Sequence, residues 1–386
     1  MSIELGKGTG PLAGIKVVEI AGIGPGPHAC MILADLGADV IRVERPGGQM
    51  LTGGSHDLLN RGRPSVALDL KQPEAVATVL DLVEGADVLV EGMRPGVLER
   101  LGLGPEQCHE RNPALVYGRM TGWGQSGPLA TAAGHDMNYI AITGALHGLG
   151  QDKARPHFPG NLVGDFGGGS TYLVIGILAA LLEARVSGRG QVVDAAIVDG
   201  TAHLNAMGAA FLASGTFTEE RAANLLDGGA PFYDVYETSD GEHMSVGALE
   251  PQFFAELVRL LGVEDRCPGQ LEMERYPEMR ALLAETFAQR THAEWVELFE
   301  GTDACVAGIV PLSRAVDHPH LSARETFVTK DGIVQPQPAP RFSRTPATLD
   351  LPPAPRAGAH TREALAAWGV ADVEGLLERG VAVQAD

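Results

Sequence analysis

Short β-branched runs alternate with longer helix-forming runs through the first third of the chain, and few folds accept that order. Residues 15–20 read as a strand, 21–27 as a Gly- and Pro-rich loop, 28–36 as a helix stopped by Gly37, and 38–43 as a second strand. A strand, a helix and a further strand in that order make a βαβ unit. The alternation continues with strands at 66–70, 87–91 and 115–120, and helices at 73–84 and from Val97 onward. It implies an α/β fold, with a mostly parallel sheet covered by helices on both faces.

The pattern changes beyond Asp165. Residues 170–185 read as a helix rich in small side chains, 188–190 as a turn, and 191–195 as a strand leading into a helix that ends before Gly215. A Gly-rich stretch at 224–231 looks like a linker or a lining loop. A strand at 244–248 and helices at 251–261, 276–290 and 292–299 then suggest a smaller α+β domain. Residues 336–356 are Pro-rich, and two short helices, 361–367 and 370–379, close the chain. The expected division is a large Rossmann-like domain over 1–225, completed by 330–386, and a small domain with its linkers over 226–329.

Charge narrows the partners. With 29 Lys and Arg against 49 Asp and Glu, the formal net charge is -20, and no long basic block interrupts it. Nucleic acid and anionic membrane surfaces both require a basic footprint, so neither is an expected partner. Cys30, Cys108, Cys267 and Cys305 are widely spaced and form no CxxC pair, which suits reduced thiols in a cytoplasmic protein. The N-terminus shows no signal-peptide pattern. The longest apolar run, 172–182, is too short to span a bilayer.

Candidate chemistry lies in glycine-flanked breaks. The loop at 21–27 follows the first strand, but its spacing is Gly22-x-Gly24-x-Gly26, with two prolines, and not GxGxxG. It admits a dinucleotide site, a rigid packing turn, or a loop against another nucleotide-bearing ligand. Arg42, Arg45, Arg61, Arg63, Lys71, Arg94 and Arg100 all fall near strand ends, where cations in an α/β sheet can meet phosphates. His135 and Asp136 follow Gly134. Asp165 precedes Gly167-Gly168-Gly169-Ser170, and its alternatives are a helix N-cap or an acid–base group beside backbone N–H donors. Glu250 either orients a histidine or caps the helix that begins at Pro251.

The ordered segments Val17-Val18-Glu19-Ile20-Ala21-Gly22-Ile23-Gly24-Pro25-Gly26-Pro27, Leu36-Gly37-Ala38-Asp39-Val40-Ile41-Arg42-Val43-Glu44-Arg45-Pro46 and Glu91-Gly92-Met93-Arg94-Pro95-Gly96 carry a resemblance. So do Gly122-Trp123-Gly124-Gln125-Ser126-Gly127-Pro128, Gly134-His135-Asp136, Asn161-Leu162-Val163-Gly164-Asp165-Phe166, Asp227-Gly228-Gly229-Ala230-Pro231-Phe232-Tyr233 and Leu249-Glu250-Pro251-Gln252-Phe253. Together they resemble the family III CoA-transferase superfamily and, within it, the α-methylacyl-CoA racemases. The resemblance implies the family III fold as an interlocked homodimer, each chain threading the other. The site is then formed between the large domain of one subunit and the small domain of the other. It implies no cofactor and no metal, CoA being part of the substrate.

By the same resemblance, His135 and Asp165 are the catalytic pair, and Glu250 stands close to the histidine. Ile23, Arg45, Leu68, Lys71, Leu89, Gly92 and Arg100 fall on the positions that bind the CoA nucleotide. The implied reaction is 1,1-proton transfer at C2 of a 2-methylacyl-CoA thioester through an enolate. His135 and Asp165 work from opposite faces in opposite protonation states. A backbone N–H in the Asp165-Phe166-Gly167 turn is the expected enolate donor, and Asp136 or Glu250, with Glu250 preferred, fixes the histidine tautomer. The alternative is a CoA transferase that forms an acyl intermediate on Asp165. Transferases of the superfamily lack the histidine present here as His135.

Overall fold

The structure, a computed structural model, describes residues 8–48, 54–151, 153–349 and 351–385. It divides into two compact units, one holding the described parts of 1–143, 159–205 and 323–386, the other those of 144–158 and 206–322. The expected large domain ran on to residue 225. The observed division falls after Asn205, and 144–158 joins the smaller unit. Side-chain pairing explains the difference. Arg221 donates to the carbonyls of His147 at 2.9 Å and Lys153 at 2.6 Å, and Lys153 pairs with Glu220.

In the larger unit, β1 (Lys16–Ile20), β2 (Asp39–Glu44), β3 (Ser65–Leu68), β4 (Val88–Glu91), β5 (Val116–Thr121) and β6 (Val192–Ala196) pair in parallel. Strand Ala382–Val383 adds an antiparallel edge beside β3, unforeseen because it is so short. The order across this sheet is Ala382–Val383, β3, β2, β1, β4, β5, β6. Successive β1 side chains go to opposite faces, so Val17 and Val18 enter different cores. The covering helices are α1 (Pro25–Asp35), α2 (Pro73–Glu84), α3 (Val97–Leu101), α4 (Pro105–Arg111), α5 (Asp136–Ile142), α6 (Thr171–Ser187) and α7 (Ile197–Leu204). Helix α1 begins three residues before its expected start, because proline is tolerated where a helix has no N–H partner to offer.

A wide helical turn, Leu162–Ser170, runs directly into α6. The joined helix, Leu162–Ser187, has 26 residues, and its most apolar 18-residue stretch has a mean hydropathy of 1.5, long and apolar enough to cross a membrane by those measures alone. The expectation of an apolar run too short for that span does not hold for this helix. One face of it packs in the core of its unit: Leu173 and Ile177 are fully buried and approach the bare backbone of Gly118 in β5.

The wide turn also packs against α7 at van der Waals limits. A Cβ placed on Gly200 would lie 1.8 Å from the Gly168 carbonyl oxygen, and one on Gly168 would lie 2.5 Å from Thr201 Oγ1. Gly200→Ala should therefore destabilise the protein by about 3 kcal/mol, since backbone obstructs the methyl and cannot rotate away. The check is a lowered urea midpoint. An unchanged midpoint would mean that α7 does not hold the turn.

The smaller unit has an antiparallel sheet of Tyr233–Glu237, His243–Gly247 and Val306–Gly308. Helices Pro251–Leu261, Tyr276–Phe287 and His292–Phe299 cover it around Met244, Leu257, Phe287 and Trp295. The outer two strands were not legible beforehand.

Candidate active site

His135 is the N-cap residue of α5, and its side chain is exposed. The backbone before it is fixed by aromatic packing. Trp123 and Tyr139 meet edge to face at 4.7 Å, and the Tyr139 hydroxyl donates to the Gly134 carbonyl. A Cβ on Gly134 would lie 2.7 Å from the Tyr139 ring and 2.9 Å from that of Trp123. Gly134 is thus the residue that lets the chain pass those rings. The His135 N–H donates to Asn138 Oδ1 at 3.1 Å, which closes the first turn.

Asp165 was expected at a helix start. It lies instead inside the wide turn, in which Phe166 N–H donates to the Asn161 carbonyl at 3.2 Å, five residues back. The buried carboxylate of Asp136 reaches across and accepts the Asp165 N–H on Oδ2 at 2.7 Å. This joins the head of α5 to the wide turn, so the residues next to His135 and the backbone of Asp165 form one braced structure. Asp136 Oδ1 is buried with no hydrogen-bond partner among the described residues.

Two expectations change here. The N–H groups of Asp165 and Phe166 are already donated within the protein, so neither supplies an enolate donor. Gly168 and Gly169 are buried against Thr201 and Ile197, where they permit close approach and do not line an open anion site.

The Asp165 carboxyl is half-buried, and that burial holds it above the usual carboxylate range. The Asp136 charge pushes it the same way, whereas the Asn161 amide at 3.5 Å and the His135 charge pull it back. His135 is therefore close enough to act on Asp165 electrostatically. The start of α1 stands on another side, with the Cβ position of Gly24 3.4 Å from Asp165 Oδ2. A helix N-terminus normally favours an anion, but Pro25 and Pro27 remove two of the N–H groups that would do so. These surroundings favour the protonated carboxyl more than water would.

The strand order reverses between β1 and β4, where loops part and ligands of open α/β sheets bind. A cleft there is lined by Gly22, Ile23, Pro25, Glu91 and Gly92, which brings Ile23 and Gly92 together. Arg45 follows β2, Lys71 follows β3, and Arg100 lies on α3 after β4, all exposed at the carboxyl side of the sheet. None of these three, nor Arg94, pairs with a carboxylate among the described residues. Leu68 and Leu89 differ, since both side chains are 0 % exposed in the core. Leu89 sits mid-strand between Val18 and Tyr117, which leaves it no surface for a ligand.

Three other candidate cations are committed internally. Arg42 pairs with Glu19 and with Glu44 at 3.2 Å, Arg61 with Asp35 at 2.6 Å, and Arg63 with Glu19 at 2.5 Å. All three are buried, so they stabilise strand ends and loops and do not meet phosphate. Glu250 belongs to the smaller unit, where it is exposed before Pro251–Leu261, and its side chain makes no cap bond. That removes the capping alternative. Among the described residues no group of three or more His, Cys, Asp or Glu is arranged to hold a metal ion.

Sequence reasoning missed the brace from Asp136 to Asp165, having given Asp136 only the histidine to orient. It also missed Asn161, whose position four residues before Asp165 was the available signal.

Comparison with known proteins follows the same lines. The model of CoA-transferase family III matches residues 12–361. The α-methylacyl-CoA racemase of Mus musculus is 45% identical over 366 residues, covering 94% of this chain and 94% of that protein. The racemase of Homo sapiens is 44% identical over 362 residues, with 93% of each covered. The crystal structure of a CAIB/BAIF family protein from Brucella suis superimposes with a TM-score of 0.81 at 28% identity, over 93% of this chain and 100% of that one.

Proposed function

The chain belongs to CoA-transferase family III, and from that premise we propose that it racemises 2-methylacyl-CoA thioesters at C2. The observation that carries this reading is the brace from Asp136, beside His135 at the head of α5, to the backbone of Asp165, whose carboxyl burial holds above the usual carboxylate range. In one direction neutral His135 takes the α-proton, and the C–H electron pair moves through C2 onto the thioester oxygen. The Asp165 carboxyl then delivers its proton to the opposite face of C2. The products are the inverted thioester, a protonated His135 and an ionised Asp165, and the reverse reaction exchanges the roles. Each transfer requires the ring nitrogen or carboxyl oxygen within about 3 Å of the carbon-bound proton's path.

The CoA nucleotide lies over the carboxyl side of the parallel sheet, with Ile23 and Gly92 lining its cleft and Arg45, Lys71 and Arg100 meeting phosphate. Leu68 contributes at most backbone, and Leu89 has no part. The working form is an interlocked homodimer in the cytoplasm. Its support is the face of α6 that leaves Ile175, Leu182 and Val186 exposed at helical spacing, an apolar strip suited to a second copy of the chain.

The test is incubation of the enzyme with one enantiomer of a 2-methylacyl-CoA in deuterated buffer, with no acceptor acid present. Racemisation with deuterium at C2 supports the reading. CoA exchange between acids, with an acyl group trapped on Asp165 and no α-exchange, overturns it. Lys71→Ala and Arg100→Ala should each raise KM roughly tenfold with kcat little changed, because a charge-assisted phosphate contact is made equally in ground and transition states. A fall in kcat at constant KM would place these cations elsewhere in the mechanism.

A further inference from the structure

His28 lies on α1, far in sequence from the catalytic pair, yet its imidazole touches the segment that carries Asp165 in two ways. The ring stacks on Phe166, with centroids 4.3 Å apart and planes inclined by 28°. Its Nδ1 lies 2.6 Å from Ser170 Oγ. Ser170 is fully buried, and its hydroxyl is also 3.0 Å from the Phe166 carbonyl oxygen. The same carbonyl receives the Thr171 hydroxyl at 2.8 Å and the Thr171 N–H. Phe166 is therefore gripped by its ring and its carbonyl at once, and it is the residue after Asp165.

We propose that His28 is a positioning residue for the racemisation described above, clamping Phe166 and Ser170 so that the Asp165 carboxyl faces C2. The inference rests on that functional reading. Two features make a clamp necessary. The wide turn is spaced i to i+5, a geometry that ordinary helix bonding does not favour. It also contains Gly164, Gly167, Gly168 and Gly169, which offer α1 no side chains by which to hold the turn. Asp136 holds the turn on the α5 side at the Asp165 N–H, and His28 holds it on the α1 side, so Asp165 lies between two fixed points.

A neutral ring serves this purpose, whether Nδ1–H donates to Ser170 Oγ or Nδ1 accepts from it. Burial and the nearby Arg63 and Arg61 charges lower the basicity of His28, which favours the neutral ring. His28 delivers no proton to the substrate. It acts through Asp165 alone, and this makes the proposal separable from a general effect on folding.

The experiment compares racemisation with deuterium exchange at C2 for the enantiomer whose α-proton faces His135. His28→Phe keeps an aromatic ring and removes the nitrogen. Racemisation should fall about tenfold with KM unchanged, because a misplaced donor costs rate and not affinity. Exchange with retention, which needs only His135, should persist at the wild-type rate. Ser170→Ala should reproduce this split, and the double variant should be no worse than either single one. His28→Asn, which restores a hydrogen-bonding nitrogen or oxygen near the Nδ1 position, should recover most of the loss. Unchanged racemisation in Ser170→Ala and His28→Phe overturns the clamp, as does an equal fall of exchange and racemisation. If His28→Phe does not fold, Ser170→Ala alone decides by the same ratio. A wild-type enzyme that exchanges no deuterium would instead refute the functional reading itself.

Discussion

Asp165→Asn should reduce racemisation by about a thousandfold or more while leaving deuterium exchange from one face of C2 intact. The substitution keeps shape and hydrogen-bonding capacity but removes a transferable proton, and general acid–base groups contribute on the order of 10²- to 10⁴-fold. His135 still removes the proton that faces it. With no acid on the opposite side, the enolate collects its proton from the histidine again, now as deuterium. The observable is a thioester that gains mass without losing optical rotation. Racemisation at the wild-type rate would show that Asp165 delivers no proton.

Asp136 gives the second large effect, and two substitutions separate its two contributions. Asp136→Ala removes the acceptor of the Asp165 N–H, a bond of 2.7 Å made in a buried setting. The turn then relaxes away from α5, and kcat should fall about a hundredfold, the scale on which misplacement by an ångström acts. Asp136→Asn keeps an oxygen at that position and removes only the charge. Because the Asp136 charge helps to raise the Asp165 carboxyl, its removal lets that carboxyl ionise at lower pH.

The sign of the pH effect follows from counting protons. The two working forms, neutral histidine with protonated Asp165 and protonated histidine with ionised Asp165, carry the same number of protons. Activity is lost on the acid side when both groups are protonated, at a pKa that belongs to the pair. Lowering the Asp165 contribution should move this acid limb to lower pH, equally for both enantiomers. A profile of kcat/KM against pH for the wild type and Asp136→Asn reads it directly. An acid limb that stays in place would mean that Asp136 acts only through its hydrogen bond.

What the sequence disclosed and what it concealed divide along a physical line. The parallel strands were legible because Val17-Val18, Val40-Ile41 and Val88-Leu89 are apolar on both faces, with glycines such as Gly37 marking the ends of neighbouring helices. His135 was legible through Gly134, although the reason for that glycine, the Trp123 and Tyr139 rings, is tertiary. The fate of the arginines was not legible. Arg42, Arg45, Arg61 and Lys71 look alike in a string of letters, and only the folded chain brings Glu19 or Asp35 to two of them. The wide turn at Asp165 was hidden for the same reason. Its spacing is imposed by α7 packing on glycine and by Asp136, 29 residues away, and no local propensity announces either contact.

Two groups serving opposite faces of one carbon must fail in opposite ways when removed singly. The direct measurement is the stereospecificity of C2 deuterium exchange in His135→Ala and Asp165→Asn, each assayed with both enantiomers of one 2-methylacyl-CoA. The two variants should select mirror-image substrates: His135→Ala labels only the enantiomer whose α-proton faces Asp165, and Asp165→Asn labels only the other. Labelling of the same enantiomer by both variants, or of both enantiomers by each, would contradict proton transfer by this pair.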